Sequence, residues 1–166
     1  MSVRTLLVAA IVMTAALPRA MSGLALRLGS DQVVPWLGTW TVNVGKSTYQ
    51  GPPPFKRSTC SIKPWENGIR VTYDIVHLRG GTTHTEWTGR FDGKDYAVEG
   101  IEDYVITNAY RPIDDRTYEV VQKVEGVVSA TARVSFSPDG RTMTMTTTGG
   151  SMQKQPVITT AVYDRQ

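Results

Sequence analysis

The sequence predicts an all-β fold, an antiparallel up-and-down barrel of about eight to ten strands. Three observations predict it. Apolar and polar residues alternate at period two through most of the chain after residue 34. Turn sequences punctuate that alternation, among them Asp92-Gly93, Glu125-Gly126 and Pro138-Asp139-Gly140. No long amphipathic helix lies between the strands, and parallel βαβ units need such crossovers. A sandwich satisfies the same pattern. Successive hairpins favour the barrel, which also leaves no open edge.

The elements follow in order. Strand one is expected over Thr39–Val44, with Trp40, Val42 and Val44 on one face. Pro52-Pro53-Pro54 then forms an extended connection that cannot be helix. Strand two lies near Ser58–Lys63, with Cys60 and Ile62 together. Ile69, Val71, Tyr73 and Ile75 alternate with Arg70, Thr72 and Asp74, and Arg79-Gly80-Gly81 turns the chain. Thr83, Thr85, Trp87, Gly89 and Phe91 share the next face, opposite His84 and Glu86. Asp92-Gly93 reads as a tight hairpin into a short strand, Asp95–Val98. Tyr104, Ile106, Asn108 and Tyr110 share a face. Asp114-Asp115 turns into Tyr118, Val120, Gln122 and Val124. Glu125-Gly126 turns into Val128, Ala130, Ala132, Val134 and Phe136. Pro138-Asp139-Gly140 leads to Met143, Met145 and Thr147, and Gly149-Gly150 to a last strand, Val157–Tyr163. Threonine, valine, isoleucine and tyrosine fill these segments, as strands prefer.

Residues 1–22 read as a secretory signal. Arg4 starts it, and Leu6–Leu17 is a nearly unbroken apolar stretch, too short to span a membrane. Pro18 ends it, and Ala20-Met21-Ser22 offers a cleavage site before Gly23. Residues 23–33 form a short lead-in and 34–166 a single barrel domain, so the expected location is periplasmic or secreted. Arg4 and Arg19 lie in the signal, which holds no acid, so the formal charge of +3 falls to +1 without it. Lys and Arg are otherwise scattered, which gives nucleic acid no basic patch. No membrane span remains after the signal, and a monomer is the default expectation. Cys60 is the sole cysteine, which excludes an intramolecular disulfide framework and any Cys-cluster metal site. It reads first as a small buried hydrophobe, and second as a reactive or intermolecular thiol.

Two segments carry a resemblance. Gly38-Thr39-Trp40 opens strand one, and Arg165 stands at the end of the last strand. A Gly-x-Trp and a late arginine so placed resemble the calycin superfamily of lipocalins, fatty-acid-binding proteins and avidins. The resemblance implies that Trp40 plugs the closed end, that Arg165 packs over it, and that Gly38 admits the close approach. A closer resemblance covers nearly all of 34–166. It rests on Leu37-Gly38-Thr39-Trp40, Lys46-Ser47, Gly51-Pro52-Pro53-Pro54, Asp92-Gly93-Lys94-Asp95-Tyr96, Pro138-Asp139-Gly140-Arg141-Thr142-Met143-Thr144 and Val162-Tyr163-Asp164. These are similar to small secreted bacterial proteins described only as lipocalin-like. That likeness implies fold and compartment, not activity. The chain also departs from the better-known groups. Fatty-acid-binding proteins hold the ligand carboxylate with Arg-x-Tyr in the last strand; the matching positions here are Ala161 and Tyr163. Their helical lid has no counterpart in the proline-rich stretch 45–57. Haem barrels of the nitrobindin type need a histidine near the C-terminus, and His77 and His84 lie elsewhere. The avidin likeness stops at Gly38-Thr39-Trp40.

No catalytic, cofactor or metal constellation stands out. Glu99, Glu102 and Asp103 lack calcium-loop spacing and read as a solvated turn. His84, Glu86 and His77 lie close enough in the pattern for metal ligands, but an exposed polar face explains them. No serine sits in a nucleophile elbow, and no glycine-rich phosphate loop precedes a helix. The inward face is more informative. Tyr73, Trp87, Tyr104, Tyr118, Met143, Met145 and Tyr163 are the expected lining of a cavity for a small hydrophobic ligand. A core packed solid by its own side chains fits the same residues. The leading expectation is a non-enzymatic carrier. The rival is an extracytoplasmic interaction or inhibitor module whose surface is the Pro52–Pro54 loop with Phe55 exposed.

Overall fold

The computed structural model describes residues 35–50, 53, 55–150 and 156–166. The expected signal and lead-in, 1–33, and the prolines at 52 and 54 lie outside them. Ten strands form one closed antiparallel barrel in which each strand pairs with its neighbours in sequence and the last pairs with the first. They are β1 (Gly38–Val42), β2 (Phe55–Trp65), β3 (Gly68–His77), β4 (Thr82–Gly89), β5 (Asp95–Glu99), β6 (Ile106–Asp114), β7 (Thr117–Val124), β8 (Val127–Phe136), β9 (Thr142–Gly150) and β10 (Pro156–Arg165). Closure pairs Trp40 with Arg165 and Val42 with Tyr163. The all-β barrel is the predicted fold class. No helix among the described residues is long and apolar enough to cross a membrane.

The period-two pattern explains the inside and the outside. On β2, Ser58, Cys60 and Ile62 are buried while Lys63 is exposed; on β3, Ile69 and Val71 are buried while Arg70 and Asp74 are exposed. A bulge between Phe55 and Arg57 shifts the register at the start of β2. It leaves Phe55 half-buried and Lys56 exposed, so the apolar residue meets the core.

Local details differ from the expected pattern at the end of strand one and at Asp92-Gly93. Strand one ends at Val42, because Asn43 caps a single 3-10 turn, Val44–Lys46, by accepting from the Lys46 N–H at 3.1 Å. Val44 is therefore exposed rather than on the inner face of a strand. Asp92-Gly93 is no tight two-residue hairpin. β4 stops at Gly89 and pairs with β5 only at Glu86↔Glu99 and Trp87↔Val98. Gly93, at φ 72°, instead donates its N–H to the Tyr110 carbonyl at 3.0 Å. Gly149-Gly150 ends β9, paired with Val157 and Pro156 at the start of the last strand. Glu66-Asn67, which the turn signals did not flag, joins β2 to β3 with Glu66 at φ 45°. Glu125-Gly126 is the tight turn expected: both residues have positive φ, 50° and 76°, as a type I′ hairpin requires.

The loops sort by end. The Glu66-Asn67, Arg90–Lys94, Asp115-Arg116 and Ser137–Arg141 connections and the C-terminus share one end. Leu78–Gly81, Gly100–Val105 and Glu125-Gly126 share the other, while the 3-10 turn lies beside β10, where the Asn43 N–H meets the Val162 carbonyl. The turn is tied to the barrel by Asp164, which accepts from Asn43 Nδ2 at 2.7 Å and Lys46 Nζ at 2.8 Å. Those two donors hold its carboxyl below the usual carboxylate range.

Candidate functional site

The barrel interior has two halves of different character. At the first end an aromatic floor closes it. The rings of Phe91, Tyr118 and Phe136 lie 4.8–6.3 Å from that of Trp36, centroid to centroid. Trp40 reaches Phe136 at 5.2 Å and donates its Nε1–H to the Trp36 carbonyl at 3.1 Å. Ile62, Ile69, Tyr110, Val134 and Met143 complete the packing, all fully buried. Such offset and edge-on rings add to what burial alone contributes.

Arg165 seals that floor from outside. Its guanidinium carbon lies 4.9 Å from the Trp40 ring centroid. Nη1 donates to the Gly140 carbonyl at 2.9 Å, and Nη2 donates to the Leu37 carbonyl. Gly38 sits beneath it at φ 144°; a Cβ there would lie 2.9 Å from Nη2. Gly38, Trp40 and Arg165, singled out in the sequence, are thus brought into mutual contact, with glycine needed for both backbone and space.

Above the floor the burial changes. Strand register continues each inward row toward the other end: Tyr73 opposite Cys60, Thr85 opposite Tyr73, Val120 opposite Ala132, Thr147 opposite Ala132, Gln122 opposite Asn108. Yet Tyr73, Trp87, Val120, Gln122, Ala132, Met145 and Thr147 are only half-buried. These side chains face one another across the barrel and still keep accessible surface. The residues beside them on β8 and β9 are small: Ala130, Ala132 and Gly149. Tyr73 and Trp87 stack at 5.6 Å and 15° on the opposite wall, and the Tyr73 hydroxyl lies 3.8 Å from Met145 Sδ.

The interior disfavours negative charge. Burial pushes the Cys60 thiol up to about 12 and raises the hydroxyls of Tyr73, Tyr110, Tyr118 and Tyr163 above the usual tyrosine range. Cys60 is a buried free thiol, as its small-hydrophobe reading expects. The Trp87 indole N–H, the Asn108 carbonyl oxygen and the Tyr110 hydroxyl are enclosed without a hydrogen-bond partner among the described residues.

The sequence-predicted lining therefore divides. Tyr73, Trp87 and Met145 lie on the half-buried wall. Tyr118, Met143 and Tyr163 face inward but are fully buried; they belong to the packed core below it. Tyr104 is a correction. It is 60 % exposed, because the chain leaves the barrel at Glu99 and re-enters only at Ile106. The intervening loop is anchored by Val105, whose N–H meets the Glu125 carboxylate at 2.8 Å. Alternation thus ran two residues past the strand end, and Tyr104 borders an outer cleft with Ile101 and Val105 instead. Val120 and Gln122 share this half-buried inward face and were not singled out in the sequence. Their signal was the same alternation, but they are neither aromatic nor Met.

The other candidates lie outside this space. His84 is exposed and bonds Asp74 Oδ1 at 2.7 Å, which raises its pKa. His77 sits at the open end with Thr83 Oγ1 at 2.7 Å. Glu99, Glu102 and Asp103 are exposed. No cluster of three metal-ligating side chains occurs among the described residues. Phe55 is half-buried, edge-on to Tyr49 at 5.9 Å, and is not an exposed wedge.

No known family model matches the chain, and no curated protein does. Among solved structures it is similar to zebrafish ileal bile acid-binding protein, crystallised with cholic acid. The TM-score is 0.51 at 9 % identity, over 80 % of this chain and 99 % of that one. At that identity the likeness shows the fold alone. The shared fold is a closed antiparallel β-barrel.

Proposed function

We propose that this chain is an exported, monomeric binding protein that holds a small hydrophobic or amphipathic ligand in the open half of its barrel and catalyses no reaction on it. One observation carries the reading: inward-facing side chains keep accessible surface above a fully packed aromatic floor. Cavities for apolar ligands have this construction, with apolar and aromatic walls and a few polar groups. Two further facts support it. The similar zebrafish protein binds bile acid. Exposed large apolar residues also gather at the open end, at Leu78, Tyr104, Val105, Val127, Val128 and Ile158, where a ligand would enter. The interaction-module alternative has less behind it, since Phe55 is half-buried against Tyr49. Export rests on the apolar stretch Leu6–Leu17 after Arg4.

Native mass spectra of the full chain, expressed with residues 1–22 and purified without organic solvent, test both parts. The expected result is a discrete extra mass lost on denaturation, and a denatured mass for a chain that begins near Gly23. A bare native chain that also fails to take up N-phenyl-1-naphthylamine would refute the carrier. An intact N-terminus would refute export.

A further inference from the structure

Resting on the carrier reading, we infer that the cavity selects ligands that are uncharged where they are buried, and rejects anions of the same shape. The lining carries the inference. Tyr73, Trp87, Val120, Gln122, Met145 and Thr147 present rings, aliphatic groups, an amide and a hydroxyl. By strand register, every other described inward position of this half is uncharged too, down to the floor. The two exceptions by type lie at the extremes. Arg165 is beyond the floor, engaged with Trp40, Leu37 and Gly140. His77 is at the rim, engaged with Thr83.

The protein's own groups report what an anion would meet there. Cys60 and the neighbouring tyrosines are all held in their neutral forms by burial. A sulfonate or carboxylate brought among them loses its water and finds no cation to replace it. Amide and hydroxyl groups at Gln122 and Thr147 instead match the hydroxyl, carbonyl or amide of a neutral ligand. Hydrogen bonding to such groups returns much of what desolvating them costs. The ligand class is therefore a neutral, largely apolar molecule with a few hydrogen-bonding groups, such as an alcohol, ester, amide or ketone.

A matched pair of fluorescent probes tests this on the full chain. N-phenyl-1-naphthylamine is neutral. 8-Anilino-1-naphthalenesulfonate is nearly the same skeleton with a sulfonate beside the anilino nitrogen. That charge sits mid-molecule, so it cannot stay in water while both ring systems are buried. Equilibrium titrations at neutral pH should show the neutral probe binding at least about tenfold more tightly. Equal or tighter binding of the sulfonate overturns the selectivity and leaves the carrier standing. Binding of neither probe overturns both. Gln122→Arg adds a second readout. It places a cation in the cavity and should narrow or reverse the preference between the probes. A folded Gln122→Arg variant with an unchanged preference would also overturn the inference, and the wild-type pair decides it alone if that variant does not fold.

Discussion

Trp40→Ala is expected to destabilise the barrel by about 3–5 kcal/mol, the range for removing a large aromatic side chain from a packed core. Trp40 is completely buried. Its ring meets Phe136, its Nε1–H meets the Trp36 carbonyl, and Arg165 covers it. Truncation removes all three contacts and leaves a hole that rigid strands β1, β2 and β10 cannot close. The backbone carbonyl of Trp36 and the guanidinium of Arg165 lose a partner as well. Urea unfolding, read at constant slope, measures the loss as a lowered midpoint. A change below about 1 kcal/mol would show that Trp40 does not close the barrel.

The second large effect falls on binding instead of stability. Ala132→Trp should abolish uptake of N-phenyl-1-naphthylamine, weakening it on the order of 100-fold, equivalent to about 3 kcal/mol. Ala132 is half-buried on the inner face of β8, between Val120 of β7 and Thr147 of β9. An indole there occupies space that the ligand requires. On the carrier reading that space is open, so the same substitution should cost less than about 1 kcal/mol of folding stability. In a core already full, such overpacking costs about 1–3 kcal/mol. Probe titration and urea unfolding of one variant thus separate an open interior from a solid one. Lost stability with no cavity to fill is the outcome that contradicts the account.

Much of the fold was legible because period-two alternation is local. Ile69, Val71, Tyr73 and Ile75 announce their shared face within seven residues, and Glu125-Gly126 announces its turn within two. The closed end was legible through Gly38, Trp40 and Arg165, though Trp36 and Phe136 give the floor much of its bulk. Other features depend on partners distant in sequence. Tyr104 continues the inward row of Ile106, Asn108 and Tyr110, and the tie between Val105 and Glu125 takes it out of the strand. Asp92-Gly93 has hairpin chemistry, yet Gly93 bonds Tyr110 of β6, and the chain takes a wider path. The boundary between fully buried and half-buried inward residues was least legible. Tyr118 and Val120 are adjacent on one inward row, but one is fully buried and the other half-buried. What separates them is the size of their neighbours, Phe136 and Trp36 beside Tyr118, Ala132 and then Thr147 beside Val120. No single strand contains that comparison.

The central claim is that the open half of the barrel is the binding site. A crystal structure of the full chain with N-phenyl-1-naphthylamine tests it most directly. The account predicts the naphthalene between Tyr73 and Trp87 on one wall and Val120, Ala132 and Met145 on the other, above Tyr118 and Met143. A probe seated instead in the outer cleft beside Ile101, Tyr104 and Val105, with the barrel interior closed, would contradict it.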